Sequence, residues 1–157
     1  AELVAVIGKT ARNVSREHAM EYVAGYTLCN DYAIRDYLEN YYRPNLRVKS
    51  RDTLTPIGPY IVDRDDVADP HRLALGTYVN GELRQRGSTA DMIFDIPFLI
   101  AYLSEFMTLQ PGDVISTGTP PGVGMGQKPQ PIYLRAGQTM RLGIEGLGEQ
   151  RQQTIQA

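Results

Sequence analysis

The fold of this chain is decided by Leu73-Ala74-Leu75-Gly76-Thr77-Tyr78-Val79-Asn80-Gly81-Glu82-Leu83-Arg84-Gln85-Arg86. Asn80-Gly81 is typical of a type I′ turn, because both central residues of that turn need positive φ and these two residue types tolerate it. The segments on either side have the strand-like pattern that accompanies such a turn. The stretch therefore predicts a β-hairpin, and with it antiparallel pairing.

Further strands are predicted on both sides of the hairpin. The continuous apolar run from Leu3 to Ile7 predicts a strand that is buried on both faces. Segments bounded by turn residues predict further strands at 26–29, 113–116, 138–145 and 149–155. Most of the regular structure should therefore be β.

Fewer segments favour helices. Ser15 is expected to cap a short helix that ends near Gly25, and tyrosine-rich helical spacing predicts another over residues 31–42. Asp95 is the expected N-cap of a largely buried helix that continues to Met107, while the prolines and basic residues of 43–59 predict a long ordered loop. Because strands outnumber helices and hairpins require antiparallel pairing, the expected fold class is α+β.

Composition excludes several classes of function. The 157 residues fit one domain, and a net charge of -2 with both signs interspersed gives no basic surface for nucleic acid. No apolar run approaches the length of a membrane span. A single cysteine, Cys29, excludes an internal disulfide framework, and the isolated His18 and His71 form no zinc motif. These features predict a cytoplasmic protein with a small-molecule or protein partner.

The amino end predicts that the chain is part of a longer protein. It starts without methionine and is strand-like from residue 2 onward. No charged and apolar leader with a cleavage site precedes that strand. We therefore expect further sequence on the N-terminal side.

A shaped loop follows the strand predicted at 113–116. The segment Ser116–Gly126 contains four glycines and two prolines, which permit positive φ and fix the backbone respectively. It lacks the Gly-Lys-Ser/Thr of a phosphate loop and the helix-opening glycines of a dinucleotide site, so nucleotide binding is disfavoured. The loop is either an ordinary surface connection or a rigid ligand site. Thr119 is accordingly either a common turn residue or a hydroxyl that grips a carboxylate.

Two carboxylates lie beside apolar segments and are candidate metal ligands. Glu2 is on the first predicted strand, and Asp31 follows the strand-like residues 26–29. A carboxylate in such a place needs a partner, because an isolated charge in low dielectric costs several kcal/mol. Oxygen ligands would favour magnesium, manganese or calcium. The alternative is that Glu2 is solvated near a terminus and Asp31 caps a helix.

Two basic residues near these carboxylates have similarly open roles. Arg35 stands four residues after Asp31, so on a helix it would form an ion pair or hold a substrate carboxylate beside a metal. Lys49 lies in the basic loop, where lysines are usually solvated. A desolvated lysine near a metal would instead act as an acid or base near neutrality.

Taken together, the motifs resemble the fumarylacetoacetate hydrolase family in both order and spacing. The resemblance covers nearly the whole chain and rests on residues spread along it. They are Ala1-Glu2-Leu3, Asn30-Asp31-Tyr32-Ala33-Ile34-Arg35-Asp36, Lys49, and the run from Leu109 to Pro120.

The resemblance implies a mixed β-sheet roll or flattened barrel with peripheral helices, here a single catalytic domain over 1–157 that lacks its N-terminal side. It also implies Mg²⁺ or Mn²⁺, held by a Glu-x-Glu pair and an aspartate. Glu2 matches the second glutamate and Asp31 the aspartate. The first glutamate would fall one residue before Ala1, and a lid would also lie upstream. Family members usually pair two such domains, so a second homologous domain or a homo-oligomer is expected.

The activity that the resemblance implies is metal-dependent decarboxylation or keto-enol isomerisation of an unsaturated 2-oxo dicarboxylate or tricarboxylate in aromatic catabolism. Lys49 would move the proton, and Arg35 would orient the substrate or brace Asp31. Gly118 and Thr119 would hold the substrate carboxylate. The family equally supports carbon-carbon hydrolysis of acylpyruvates. A further alternative, from another class, is a noncatalytic structural half-domain.

Overall fold

The computed structural model describes residues 1–38 and 46–156, and within them the predicted α+β class is confirmed. Short 3₁₀ helices at Arg16–Tyr22, Arg35–Tyr37, Arg64–Asp66, Thr89–Asp91 and Gly124–Gly126 connect the main elements. The strands are β1 (Glu2–Ile7), β2 (Val23–Cys29), β3 (Val62–Asp63), β4 (Ala74–Val79), β5 (Glu82–Ser88), β6 (Val114–Ser116), β7 (Thr139–Ile144) and β8 (Gly148–Gln153). The α-helices are α1 (Leu46–Lys49) and α2 (Ile96–Phe106).

β1 lies in the middle of a four-stranded sheet whose order is β3-β2-β1-β6. All six of its residues are buried, as the apolar run predicted. Leu3, Ala5 and Ile7 face the main core, whereas Val4 and Val6 form a second cluster with Cys29 on the opposite face. Because successive side chains of a strand alternate, Glu2 shares the face of Val4 and Val6.

The predicted hairpin is part of the second sheet, whose order is β5-β4-β7-β8. Asn80 and Gly81 have φ of 50° and 84°, the positive values that a type I′ turn requires. The strands predicted at 138–145 and 149–155 are present as β7 and β8. Every strand pair in the described residues is antiparallel, and side chains from both sheets meet in the main core.

Helix α2 has the predicted cap and length, but its burial differs from the prediction. The Asp95 carboxylate accepts a hydrogen bond from the Phe98 backbone N–H at 2.8 Å. Only a stripe at four-residue spacing, Ile96, Ile100 and Ser104, is buried. Tyr102 and Phe106 are more than half exposed, so the helix presents an aromatic face to solvent where a largely buried helix was expected.

Of the two other predicted helices, the first is present as a shorter 3₁₀ helix with Ser15 as its N-cap, and the described part of the second is mostly not helical. From Ser15 the chain forms a 3₁₀ helix that gives way to β2 at Val23. Residues 31–34 are extended, and only Arg35–Tyr37 turns, as a 3₁₀ helix. Residues 39–42 of that predicted helix, and 43–45 of the predicted loop, lie outside the described residues.

The extended segment has a physical cause in its backbone hydrogen bonds. The N–H groups of Asn30, Tyr32 and Ile34 donate to the carbonyls of Pro56, Leu54 and Val48 at 3.2, 3.1 and 3.0 Å. Donation from every second residue to a neighbouring segment is the pattern of a strand edge and not of a helix, so tertiary pairing overrides the helical spacing. The same pairing brings α1, at the place of the predicted loop, next to Asp31.

Candidate active site

Glu2 is a buried carboxylate held against the glycine-rich loop. Glu2 is only 5% exposed and lies on an inner strand of its sheet, where a buried charge needs polar partners. The Glu2 Oε2 atom accepts hydrogen bonds from the Ser116 hydroxyl and from the Gly118 backbone N–H, the latter at 3.3 Å. Gly118 has φ of 98°, a value that a residue with a side chain rarely adopts. Gly118, the residue before Thr119, thus bonds the loop directly to Glu2.

Cys29 extends this hydrogen-bonded chain. It stands directly opposite Glu2 in the β1–β2 register, and its Sγ lies 3.2 Å from the Ser116 Oγ. Since the single Ser116 proton goes to Glu2, the Cys29 thiol donates to Ser116. Burial raises the pKa of the Cys29 thiol, which keeps it protonated for that role. Ser116 and Cys29 therefore orient Glu2.

Asp31 and Lys49 form the second half of the site. The Lys49 Nζ donates to Asp31 Oδ2 in an ion pair, with the two side chains 42% and 22% exposed. Lys49 is the last residue of α1, which the Ile34–Val48 backbone bond holds beside the extended segment. The predicted Asp31–Arg35 pair is not among the bonds of the described residues, because residues 31–34 are not helical. Arg35 is exposed.

Gln152, on β8, bonds to both sequence neighbours of Asp31 and is itself bonded to Gln150 on the same strand. The Gln152 Oε1 accepts from Asn30 Nδ2 at 2.9 Å and from the Tyr32 hydroxyl at 2.8 Å. Gln152 in turn donates to Gln150 Oε1 at 2.5 Å. Burial raises the pKa of Tyr32, so its hydroxyl remains a donor throughout the neutral range. Both sequence neighbours of Asp31 are thereby fixed to the second sheet.

Replacing Gln152 by leucine should therefore loosen the Asp31 segment. We expect a loss of about 1 to 3 kcal/mol in the free energy of unfolding, because two partly buried donors, on Asn30 and Tyr32, lose their acceptor. Urea denaturation of the full-length protein measures it. Gln153→Leu is the matched control, since Gln153 is exposed on the same strand. Equal destabilisation by the two variants would contradict a specific role for Gln152.

Thr119 is held by a buried side chain of the second sheet. Gln85, on β5, donates from Nε2 to the Thr119 Oγ1 and to the Pro120 carbonyl, both at 2.9 Å. Farther along, Gly122 packs so closely on β5 that an added Cβ would lie 2.1 Å from the Arg84 carbonyl oxygen. The loop predicted to be stiff is thus fastened to both sheets, while Gly118 and Thr119 stay exposed.

The described structure places the predicted residues in two groups. The first group is at the start of the glycine-rich loop, where Glu2 contacts Gly118 next to Thr119. The second group contains Asp31, which follows Cys29, the register partner of Glu2, by two positions. The sequence analysis missed the polar residues that support them. They are Gln85, Ser116, Gln150 and Gln152, and only two of them carry a signal, because Gln85 and Gln150 are polar residues at buried strand positions whereas Ser116 is exposed and Gln152 half-buried.

The carboxylates have the chemistry of a divalent cation site but form only part of one. Within residues 1–38 and 46–156, no three acidic, histidine or cysteine side chains form a possible metal cluster. The described residues donate to Oε2 of Glu2 and Oδ2 of Asp31, whereas Oε1 and Oδ1 receive no hydrogen bond from them. Each carboxylate thus retains an oxygen of the type that Mg²⁺ and Mn²⁺ prefer.

A family comparison decides what this arrangement belongs to. The model of the fumarylacetoacetate (FAA) hydrolase C-terminal family matches residues 1–155. The chain belongs to the fumarylacetoacetate hydrolase family. The resemblance inferred from the motifs is therefore confirmed, and so is the fold, because a fumarylacetoacetate hydrolase from Exiguobacterium antarcticum superposes with a TM-score of 0.93. The two sequences are 44% identical, and the match covers 99% of this chain and 55% of the Exiguobacterium chain.

Members of the family with different activities are similar to this chain. The 4-hydroxyphenylacetate degradation bifunctional isomerase/decarboxylase of Salmonella dublin is 80% identical over 123 residues, which are 78% of this chain and 29% of the relative. Maleylpyruvate hydrolase from Sphingobium sp. SYK-6, solved with manganese(II) and pyruvate, has a TM-score of 0.85 at 40% identity. The match covers 99% of this chain and 53% of that one. The chain thus spans less than a third of the first relative.

The described helices are also short in comparison with a membrane span. None of them combines the length and the apolar character needed to cross a bilayer.

Proposed function

We propose that the protein containing this chain decarboxylates or isomerises an unsaturated 2-oxo carboxylate from aromatic catabolism, with a divalent metal as cofactor. The observation that carries the proposal is the bond between Glu2 and Gly118. This bond joins the buried carboxylate of Glu2, a side chain of the metal-binding type, to the glycine-rich loop. The residue after Gly118, Thr119, offers an exposed hydroxyl. The similarity to the Salmonella isomerase/decarboxylase supports the choice of reaction.

Glu2 and Asp31 would hold Mg²⁺ or Mn²⁺ through their remaining oxygens. The β1–β2 register supports a third ligand. Glu2 pairs with Cys29, and Asp31 follows Cys29 by two positions. In the same antiparallel register, a residue two positions before Glu2 would therefore stand opposite Asp31. A glutamate there would complete the Glu-x-Glu pattern. A bound divalent metal supplies positive charge that stabilises an oxyanion developing on the 2-oxo group.

The remaining predicted residues bind substrate and move protons. Thr119 would hold the carboxylate of the 2-oxo acid through its hydroxyl and its backbone N–H, because such donors bond most strongly to an anion. Breaking the bond to the departing carboxyl group leaves an electron pair on the substrate carbon. Lys49 would supply the proton that this carbon takes up, directed by its contact with Asp31. Arg35, which is exposed, would orient a distal carboxylate.

A hydrolase is the second candidate function. The structural similarity to a maleylpyruvate hydrolase favours it, because that protein was solved with pyruvate and manganese(II). A third candidate is a noncatalytic structural half-domain that packs on a second domain. The incomplete carboxylate set of the described residues favours it, and the 29% coverage of the Salmonella relative is compatible with such pairing.

The full-length protein tests these candidates directly. With Mg²⁺ or Mn²⁺ present, carbon dioxide release from 2-oxo-hex-3-ene carboxylates is the result expected for the proposed function. Pyruvate release from acylpyruvates without carbon dioxide release would favour the hydrolase. The absence of both products, together with an unchanged ultraviolet absorption spectrum of the substrate, which isomerisation of its double bond would alter, would favour the structural half-domain.

A further inference from the structure

Gln85 is a buried amide that connects the second sheet to the glycine-rich loop. It is 5% exposed, and both ends of its amide make hydrogen bonds. The Oε1 end accepts from the Thr77 hydroxyl and from the backbone nitrogen of Ala1, each at 2.8 Å. The Nε2 end donates to Thr119 Oγ1 and Pro120 O. Its four contacts use the full bonding capacity of the amide.

The orientation of this amide is fixed by its partners. The Pro120 oxygen is a carbonyl and can only accept, so the group that faces it must be the amide NH₂. The other end of the amide faces the amino-terminal nitrogen of Ala1, a donor that agrees with this orientation. A flipped amide would place two acceptors together at one end and two donors at the other. The Gln85 NH₂ therefore lies toward the loop.

This orientation decides the direction of the Thr119 hydroxyl bond. Because the Gln85 NH₂ donates to Oγ1, the Thr119 oxygen is the acceptor and its own proton is directed elsewhere. No acceptor among the described residues takes that proton, and Thr119 is exposed. A free hydroxyl proton at this place suits an anionic acceptor, of which a carboxylate is the expected kind.

The support beneath Thr119 is rigid enough to keep this direction. Gly87, also on β5, lies so close to Pro120 that an added Cβ would be 2.9 Å from the Pro120 Cβ. Gly122 contacts the Arg84 backbone in the same way. The loop therefore packs closely on β5 at Pro120 and Gly122, directly after Thr119.

We propose that Gln85 is a positioning residue that makes Thr119 a hydrogen-bond donor, and that it thereby sets the preference of the loop for a carboxylate over a neutral amide. This inference rests on the proposed function, which places the substrate carboxylate at Thr119. Gln85 acts through Thr119 and touches no substrate.

The test exchanges the donor end of Gln85 for an acceptor. In Gln85→Glu, an ionised carboxylate would take the Thr119 proton and leave only the hydroxyl lone pairs for a ligand. Calorimetry on the full-length protein with Mg²⁺ compares pyruvate with its neutral analogue pyruvamide, at alkaline pH where glutamate is ionised. We expect pyruvate to bind about tenfold or more weakly, since bonds to charged groups are the strong ones, while pyruvamide changes by less than about threefold.

Four further variants make the result specific. Gln85→Met, which cannot donate and serves if the glutamate variant fails to fold, should also weaken pyruvate more than pyruvamide. Thr77→Val removes a donor from the opposite end of the same amide and should leave the pyruvate-to-pyruvamide ratio unchanged. Thr119→Val should weaken pyruvate, and Thr119→Ser should restore it.

The outcomes separate this inference from the proposed function. If Thr119→Val weakens pyruvate while both Gln85 variants keep the wild-type ratio, Gln85 has no positioning role and the proposal is overturned. If Thr119→Val leaves pyruvate binding unchanged, the carboxylate does not bind at Thr119 and that part of the proposed function fails. A parallel loss of both ligands in Thr77→Val would show that the Gln85 effect is structural only.

Discussion

The Asp31→Ala variant of the full-length protein is expected to lose turnover by more than about 100-fold, since changes to the outer partners of metal ligands alone typically cost 10- to 100-fold. Asp31 combines two roles in the proposed site. One carboxylate oxygen pairs with Lys49, and the other is available to a cation. Alanine removes both roles. A steady-state assay of carbon dioxide release measures the loss.

Manganese binding provides a readout of Asp31 that does not depend on turnover. Asp31→Ala should weaken Mn²⁺ binding in calorimetry, because an oxygen ligand and a negative charge are both removed. Asp36→Ala is the matched control, since Asp36 is an exposed aspartate on the nearby 3₁₀ turn Arg35–Tyr37. Unchanged turnover together with unchanged Mn²⁺ affinity in Asp31→Ala would refute the metal assignment.

The second large effect is expected for Lys49→Met, with turnover reduced by about 10²- to 10⁴-fold and substrate binding retained. The Lys49 ammonium is partly exposed and touches Asp31, so it can reach substrate while it is held in place. Methionine keeps most of the length and apolar stem of lysine but has no proton to give. Comparison of kcat with the binding constant of pyruvate separates proton transfer from binding.

The appropriate control for Lys49→Met is the same change at Lys9, which is exposed beyond the end of β1. That variant should keep wild-type turnover. If Lys49→Met instead weakens pyruvate binding and leaves kcat intact, Lys49 is a carboxylate anchor and the proton must come from another group.

Much of the fold could be predicted because some residues allow few local conformations. Asn80-Gly81 fixes a turn through positive φ, and Asp95 fixes a helix start through its cap, whatever surrounds them. The buried run of β1 was equally local in origin. These elements are correct because their cause lies within a few residues of sequence.

The failures have causes that lie far away along the chain. Residues 31–34 are extended because carbonyls of residues 48–56 and Gln152 take their donors, and helical spacing contains no information about such partners. Helix α2 has the composition of a buried helix, yet only the stripe Ile96, Ile100 and Ser104 is buried. Likewise, Gln85 and Gln152 belong to no motif, so their contacts with the candidate site emerged only from the structure.

The central position of β1 has a consequence for how the site comes into existence. The strand pairs on one side with β2 and on the other with β6, and the Glu2–Ser116 bond joins residues 114 positions apart. Closing so long a stretch of chain costs entropy before any contact repays it, which makes such pairings late and slow events in folding. Glu2 can meet its loop only after the intervening chain has collapsed around it. The contact between Glu2 and the glycine-rich loop is therefore expected to be among the last parts of the site to form.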